Sequence, residues 1–142
     1  MKRIIAYVLI GIITLLIPVD RVDIGTLEPI QAVWLSTENG RIILITDTDD
    51  RGEGKTVKEA LEKMKRSSTG NVYLDTAEFL LVSENAQAEI VSIKPYLKPS
   101  VRVCLFAGQM KLTDAAAYMD AHSVGLSLRE WEQYSILPKI PQ

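Results

Sequence analysis

The sequence predicts a mixed α/β fold, with α+β the neighbouring possibility: a small β-sheet with helices packed on it, in the order β-β-α-β-α-β-α, behind an N-terminal transmembrane helix. Three observations lead there. Short apolar runs rich in β-branched residues recur at 30–35, 42–46, 79–82 and 101–107. Between them lie segments whose apolar residues fall at helical spacing. Ahead of them, sixteen uncharged residues, 4–19, follow Met1-Lys2-Arg3.

That first stretch has a positive start, an apolar run and a polar exit at Pro18-Val19-Asp20. It is slightly short for a transmembrane helix, which needs about 20 apolar residues, and slightly long for the apolar part of a signal peptide. Signal peptidase needs small residues before its cut, and Leu15-Leu16-Ile17-Pro18-Val19-Asp20 offers none. No cysteine follows for lipid attachment. An uncleaved membrane anchor is the expectation, ahead of a cleaved signal or a buried core helix. Lys2 and Arg3 place the N-terminus in the cytoplasm and the rest of a single-pass chain outside it.

The expected organisation is an anchor or signal segment over 1–19, a linker over 20–29, one α/β domain over 30–136 and an irregular tail over 137–142. The strands 30–35 and 42–46 flank Ser36-Thr37-Glu38-Asn39-Gly40, whose Asn-Gly pair predicts a hairpin because both residues tolerate positive φ. Residues 47–54 read as a polar, acidic loop. Thr56-Val57-Lys58-Glu59 fits a capping box, and Val57, Ala60, Leu61 and Met64 share one helical face. Lys63, Lys65 and Arg66 suit the last turn, and Gly70 ends the segment.

Phe79-Leu80-Leu81-Val82 is wholly apolar, as a strand covered on both faces would be. Ser83-Glu84-Asn85 opens a second helix with Ala86, Ile90, Ile93 and Leu97 on one side, limited by Pro95 and Pro99. The run 101–107 is a third buried strand closed by Gly108. Its one charged residue, Arg102, must reach solvent or an acid, since an unpaired buried guanidinium is costly. Thr113 or Asp114 caps a third helix over 115–121, and 126–134 form a fourth.

Net charge is −2, with both signs mixed along the chain, and no basic patch interleaved with aromatics marks a nucleic-acid surface. The lone cysteine, Cys104, excludes an intramolecular disulfide and reads as a buried, inert thiol. A single histidine, His122, excludes a histidine-based metal cage.

Gly52-Glu53-Gly54-Lys55-Thr56 sits where a phosphate-binding loop belongs, before a helix. The pattern fails at its first position, which is Asp49, and Asp47, Asp49, Asp50 and Glu53 would repel a phosphate. A helix-capping glycine loop is the expectation. Asp47, Asp49 and Gly52 also match the first, third and sixth positions of an EF-hand loop, but Arg51 and Lys58 stand where oxygen ligands are needed. His122 with Ser123 lacks the elbow of a nucleophile, and Tyr118 and Met119 read as core. Trp131 and Tyr134 suit packing or a partner equally. No residue is assigned a catalytic, cofactor-binding or metal-binding role.

From the hairpin onward the chain resembles the first domain of the Ger(x)C-type C subunits of bacterial spore germinant receptors. Gly54-Lys55-Thr56-Val57-Lys58-Glu59-Ala60 resembles that family's Gly-x-Thr-x-x-Glu-Ala opening of its first helix. Phe79-Leu80-Leu81-Val82-Ser83-Glu84-Asn85-Ala86 resembles its strand-to-helix stretch. Ser100-Val101-Arg102-Val103-Cys104-Leu105-Phe106-Ala107-Gly108 resembles its Arg-containing strand ending in Ala-x-Gly. The likeness covers roughly residues 28–121. The family's members are three-domain lipoproteins with a histidine before the second stretch, and neither the lipidation cysteine nor that histidine stands here. The resemblance implies a shortened relative held by a helix in place of lipid. Its role would be that of a noncatalytic subunit or accessory of a spore germination or sporulation complex in the spore inner membrane, with other membrane proteins as partners. The alternative expectation is an extracytoplasmic domain that binds a small ligand or cation through the acidic loop 47–53.

Overall fold

The hairpin forms at Asn39-Gly40. In the computed structural model, which describes residues 1–16, 29–68, 72–134 and 136–141, Asn39 and Gly40 sit at φ 52° and 74°. Two consecutive positive φ values are what a two-residue type I′ turn requires. Strands β1 (Ala32–Glu38) and β2 (Arg41–Thr46) pair antiparallel around it, from Val33 opposite Thr46 to Glu38 opposite Arg41. Gly70 and the expected linker, except Pro29, lie outside the described residues.

The acidic loop is shorter than expected. Residues 47–50 turn the chain, and Arg51–Gly54 form a strand, β3, antiparallel to β2. Two glycines in four residues give poor strand propensity, so this strand is invisible to pattern reading. It forms because Gly52 and Gly54 face helix α2 (Val57–Ser67) with no room for a Cβ between them. Thr56 caps α2, the Glu59 amide donating to Thr56 Oγ1 at 3.1 Å; Glu59 Oε2 accepts at 3.0 Å from the Lys55 amide, one residue ahead of the position a capping box uses. Val57, Ala60, Leu61 and Met64 are buried, the expected face.

After a 3₁₀ turn at Leu74–Thr76, β4 (Phe79–Val82) enters beside β1 in parallel and is buried along its whole length. The second helix is broken up. A 3₁₀ segment, Glu84–Glu89, leads into a single α turn, α3 (Ile90–Ile93), and a further 3₁₀ turn, Lys94–Tyr96. Ser83 makes no side-chain cap bond, and Pro95 donates no amide hydrogen, so neither end supports a regular helix. The apolar spacing still holds: Ala86, Ile90, Ile93 and Leu97 are buried.

Strand β5 (Arg102–Leu105) lies parallel to β4, with β6 (Leu126–Ser127) antiparallel on its other side. Helix α4 spans Leu112–His122 and starts earlier than Thr113 or Asp114 would place it; its N-cap is Lys111, without a side-chain cap bond. Ser123, at φ 50°, closes it in the left-handed conformation. Leu126 and Ser127 are strand, and helix α5 (Leu128–Tyr134) follows. It is capped by a reciprocal pair in which the Glu130 amide donates to Ser127 Oγ and the Ser127 amide to Glu130 Oε2.

The result is one six-stranded mixed sheet in the order β3-β2-β1-β4-β5-β6, with helices on both faces. On one face Val33, Leu35, Ile42, Leu44, Leu80, Val82, Val103 and Leu105 pack with α2, α3 and Leu128 of α5. On the other, Ala32, Phe79, Leu81, Cys104 and Phe106 pack with Ala115, Ala116 and Met119 of α4. Burying a Leu, Ile or Val side chain of this kind stabilises by about 1.5–3 kcal/mol. These apolar residues hold the parallel strands β1, β4 and β5 side by side and align their carboxyl ends.

Ahead of the sheet, α1 (Lys2–Leu16) has 15 residues, about 22 Å at 1.5 Å per residue. A hydrocarbon core is about 30 Å thick. Among the described residues no helix is long and apolar enough to cross a membrane, so the transmembrane helix expected at the N-terminus is not among the observed elements.

Candidate functional site

The carboxyl ends of β4 and β5 border a groove. From β4 the chain turns to the face covered by α3, and from β5 to the face covered by α4. Adjacent parallel strands whose connections leave in opposite directions open a crevice at their carboxyl ends, where α/β proteins commonly bind ligands. This one is about 690 Å³. Leu105, Phe106 and Ile140 give it an apolar floor; Ser83, Glu84, Asn85, Gln109 and Lys139 line its polar walls.

The segment after α5 crosses this crevice. It lies parallel to β5 at Leu105–Lys139. The Leu105 amide donates to the Pro138 carbonyl at 2.8 Å, and the Ile140 amide donates back to the Leu105 carbonyl at 3.1 Å. Gln109 Nε2 donates to the Ile140 carbonyl at 3.2 Å, and its Oε1 accepts from the Ala107 amide at 2.9 Å. Leu137 and Ile140 are buried. Lys139 pairs with Glu84, and its ammonium holds that carboxyl below the usual glutamate value. Asn85 Nδ2 donates to the Thr37 carbonyl at 2.7 Å, tying the start of the 3₁₀ segment to β1.

No family model, curated protein or solved structure matches the chain.

Gly52 borders a depression of about 680 Å³ in which Arg41, Arg51 and Lys63 are offset by Asp49, Asp50 and Glu53. Gly52 and Gly54 are strand residues pressed on α2, and the Lys55 amide is taken by Glu59. The acidic residues around them are engaged locally. Asp47 accepts from the Gln31 amide at 3.2 Å through both carboxylate oxygens. Asp50 Oδ2 accepts from Thr48 Oγ1 at 3.0 Å. Glu53 Oε1 lies 3.1 Å from Arg41 Nε, an ion pair by distance that lacks hydrogen-bond alignment. Among the described residues no three His, Cys, Asp or Glu side chains converge as a metal site would need.

Met119 is core and Tyr118 is partly buried against the same cluster; the exposed His122 packs on the Tyr118 ring at a tilt, centroids 4.3 Å apart. Trp131 packs against the α2 face of the domain; the side chain of Tyr134 lies outside the described residues. Cys104 is buried, its Sγ 3.1 Å from the Pro138 carbonyl, and burial pushes the thiol up to about 11. Arg102 meets its requirement at the amino-terminal end of β5. Its Nη2 is 3.4 Å from Asp120 Oδ1, and its guanidinium lies 4.8 Å from the Phe79 ring centroid.

Of the crevice residues, Gln109 and Lys139 escaped sequence reasoning. Glu84 and Lys139 stand far apart in the chain, and the helix opening that contains Glu84 says nothing of a partner in the tail. The one usable signal is the pair of apolar residues Leu137 and Ile140 in the tail, which foreshadows burial.

Proposed function

We propose that this chain is a noncatalytic, membrane-anchored interaction module whose α/β domain lies on the extracytoplasmic side. In this reading it serves as a subunit or accessory of a spore germination or sporulation membrane complex. The observation that carries the membrane part is the state of α1. Its large apolar side chains, from Ile4 to Ile13, are each 50–75% exposed, and none belongs to either core of the domain. An apolar helix left uncovered by its own domain calls for another apolar environment. A span somewhat shorter than the bilayer is accommodated by local thinning, and the uncharged run continues in sequence to Val19. Lys2 and Arg3 favour a cytoplasmic N-terminus. The spore part is supported by the three ordered stretches that resemble the Ger(x)C-type subunits, which fall on the start of α2, on β4 and on β5.

Fractionation tests the first part. The full chain should stay with membranes under alkaline carbonate extraction, and a chain lacking residues 1–19 should be released. A full chain recovered in the aqueous fraction overturns membrane attachment. Affinity purification from detergent extracts of sporulating cells tests the second. Enrichment of multi-spanning spore-membrane proteins supports it; recovery of none, from a chain that does fractionate with membranes, overturns it.

A further inference from the structure

The segment that crosses the crevice is bound as an extended peptide. Its hydrogen bonds run to β5 and to the loop after it: Leu105 N–H to Pro138, Ile140 N–H to Leu105, and Gln109 to the Ile140 and Pro141 carbonyls. Its side chains alternate in role. Leu137 and Ile140 are buried, whereas Lys139 reaches across the mouth to Glu84. Ile136, which leads into it from α5, is 77% exposed. The segment thus occupies a slot that reads a peptide by backbone pairing, one acidic contact and two apolar pockets, the features by which sheet edges bind added strands.

We propose that this slot beside β5 is a docking site for an extended segment of a partner protein, with the pattern apolar-Pro-Lys/Arg-apolar, and that residues 136–141 are its exchangeable internal occupant. Charge complementarity favours this occupant: Glu84 is the acidic group at the mouth, and Lys139 already satisfies it. Geometry favours it as well, because the Leu105 amide and carbonyl both face the slot and accept a strand in either of two ways, from within the chain or from outside it. The segment pairs through its backbone with one strand residue, Leu105; its other holds are Gln109, the Glu84 carboxylate, the Cys104 thiol and two buried side chains. Such short, peripheral pairings are the ones that open locally while the sheet stays folded. The slot covers Cys104, whose Sγ contacts Pro138, so the thiol reports on occupancy. The inference rests on the reading of the domain as an interaction module and specifies its partner's chemistry.

The test uses the full chain in detergent and a synthetic peptide of residues 136–142. Lys139→Glu in the chain sets two carboxylates against each other at the mouth. It should speed alkylation of Cys104 by on the order of five- to tenfold without unfolding the sheet. Titrating in the unmodified peptide should restore protection, and a peptide bearing Lys139→Glu should not. Unchanged alkylation together with no peptide binding overturns the proposal. If the variant does not fold, hydrogen exchange of the unmodified chain decides. The Leu105 and Ile140 amides should exchange faster than those of Leu81 and Val103, and equal protection overturns the proposal. A concentration-dependent dimer that exchanges the segment between copies makes the occupant a second copy and overturns the partner assignment. Failure here leaves membrane attachment standing, and loss of membrane attachment leaves the peptide result unaffected.

Discussion

Gly52 of β3 lies against Ala60 of α2 with no space for a side chain between them: an added Cβ would meet the Ala60 carbonyl oxygen at 2.0 Å and Met64 Cβ at 2.8 Å. Backbone cannot yield as a flexible side chain does, so α2 would have to lift off the sheet. Gly52→Ala is expected to destabilise by about 3 kcal/mol, at the upper end of overpacking costs. Urea unfolding followed by circular dichroism measures this; a loss below about 0.5 kcal/mol would mean the contact is not formed.

Thr56 holds the start of α2 through one cap bond. Thr56→Ala should cost about 1 kcal/mol, and Thr56→Ser far less, because serine keeps the accepting oxygen. Equal losses for both substitutions would point to the methyl group and not the cap.

Two glutamates contribute to the acid limb of stability. Glu59 is held below its ordinary value of 4.5 first by the Lys55 amide and then by Lys63. Glu84 is held below the same value by Lys139. A carboxyl with a lowered folded value stabilises above its unfolded value and loses that contribution as pH falls through the folded one. Stability should therefore decline below pH 4.5, and Glu59→Gln with Glu84→Gln should flatten the decline. A double variant with an unchanged acid limb would refute both assignments.

Cys104 sets a slope at the other end. Burial raises the thiol from 9.0 to about 11, so the folded state keeps its proton longer than the unfolded one. Its contribution is complete below pH 9.0 and is lost as pH rises toward about 11. Comparing Cys104→Ala with the unmodified chain across that range isolates the slope from the lysines and tyrosines that titrate nearby. Identical alkaline slopes would sink the prediction.

Arg102 and Asp120 separate packing from charge. The Arg102 side chain covers the Phe79 ring and is 29% exposed, whereas Asp120 is 73% exposed. Arg102→Ala should cost about 1–2 kcal/mol through the lost stem and ring contact. Asp120→Ala should cost below about 1 kcal/mol, as exposed ion pairs do. A larger loss for Asp120 would reverse the attribution.

The amino-acid sequence by itself determined the elements whose causes are local. Asn39-Gly40 dictates the hairpin through the backbone freedom of two adjacent residues, Thr56 with Glu59 dictates the start of α2, and the spacing of Val57, Ala60, Leu61 and Met64 selects its buried face. The apolar runs at 79–82 and 103–107 mark strands covered on both sides, and Cys104 goes inside with its strand. Only the tertiary structure decided the rest. Arg51–Gly54 is a strand because α2 presses on two glycines whose local preference is against it, and Glu84 meets Lys139 because β4 and the last segment converge on one crevice. Those contacts join residues distant in the chain, and their energy exists only once the sheet has brought them together.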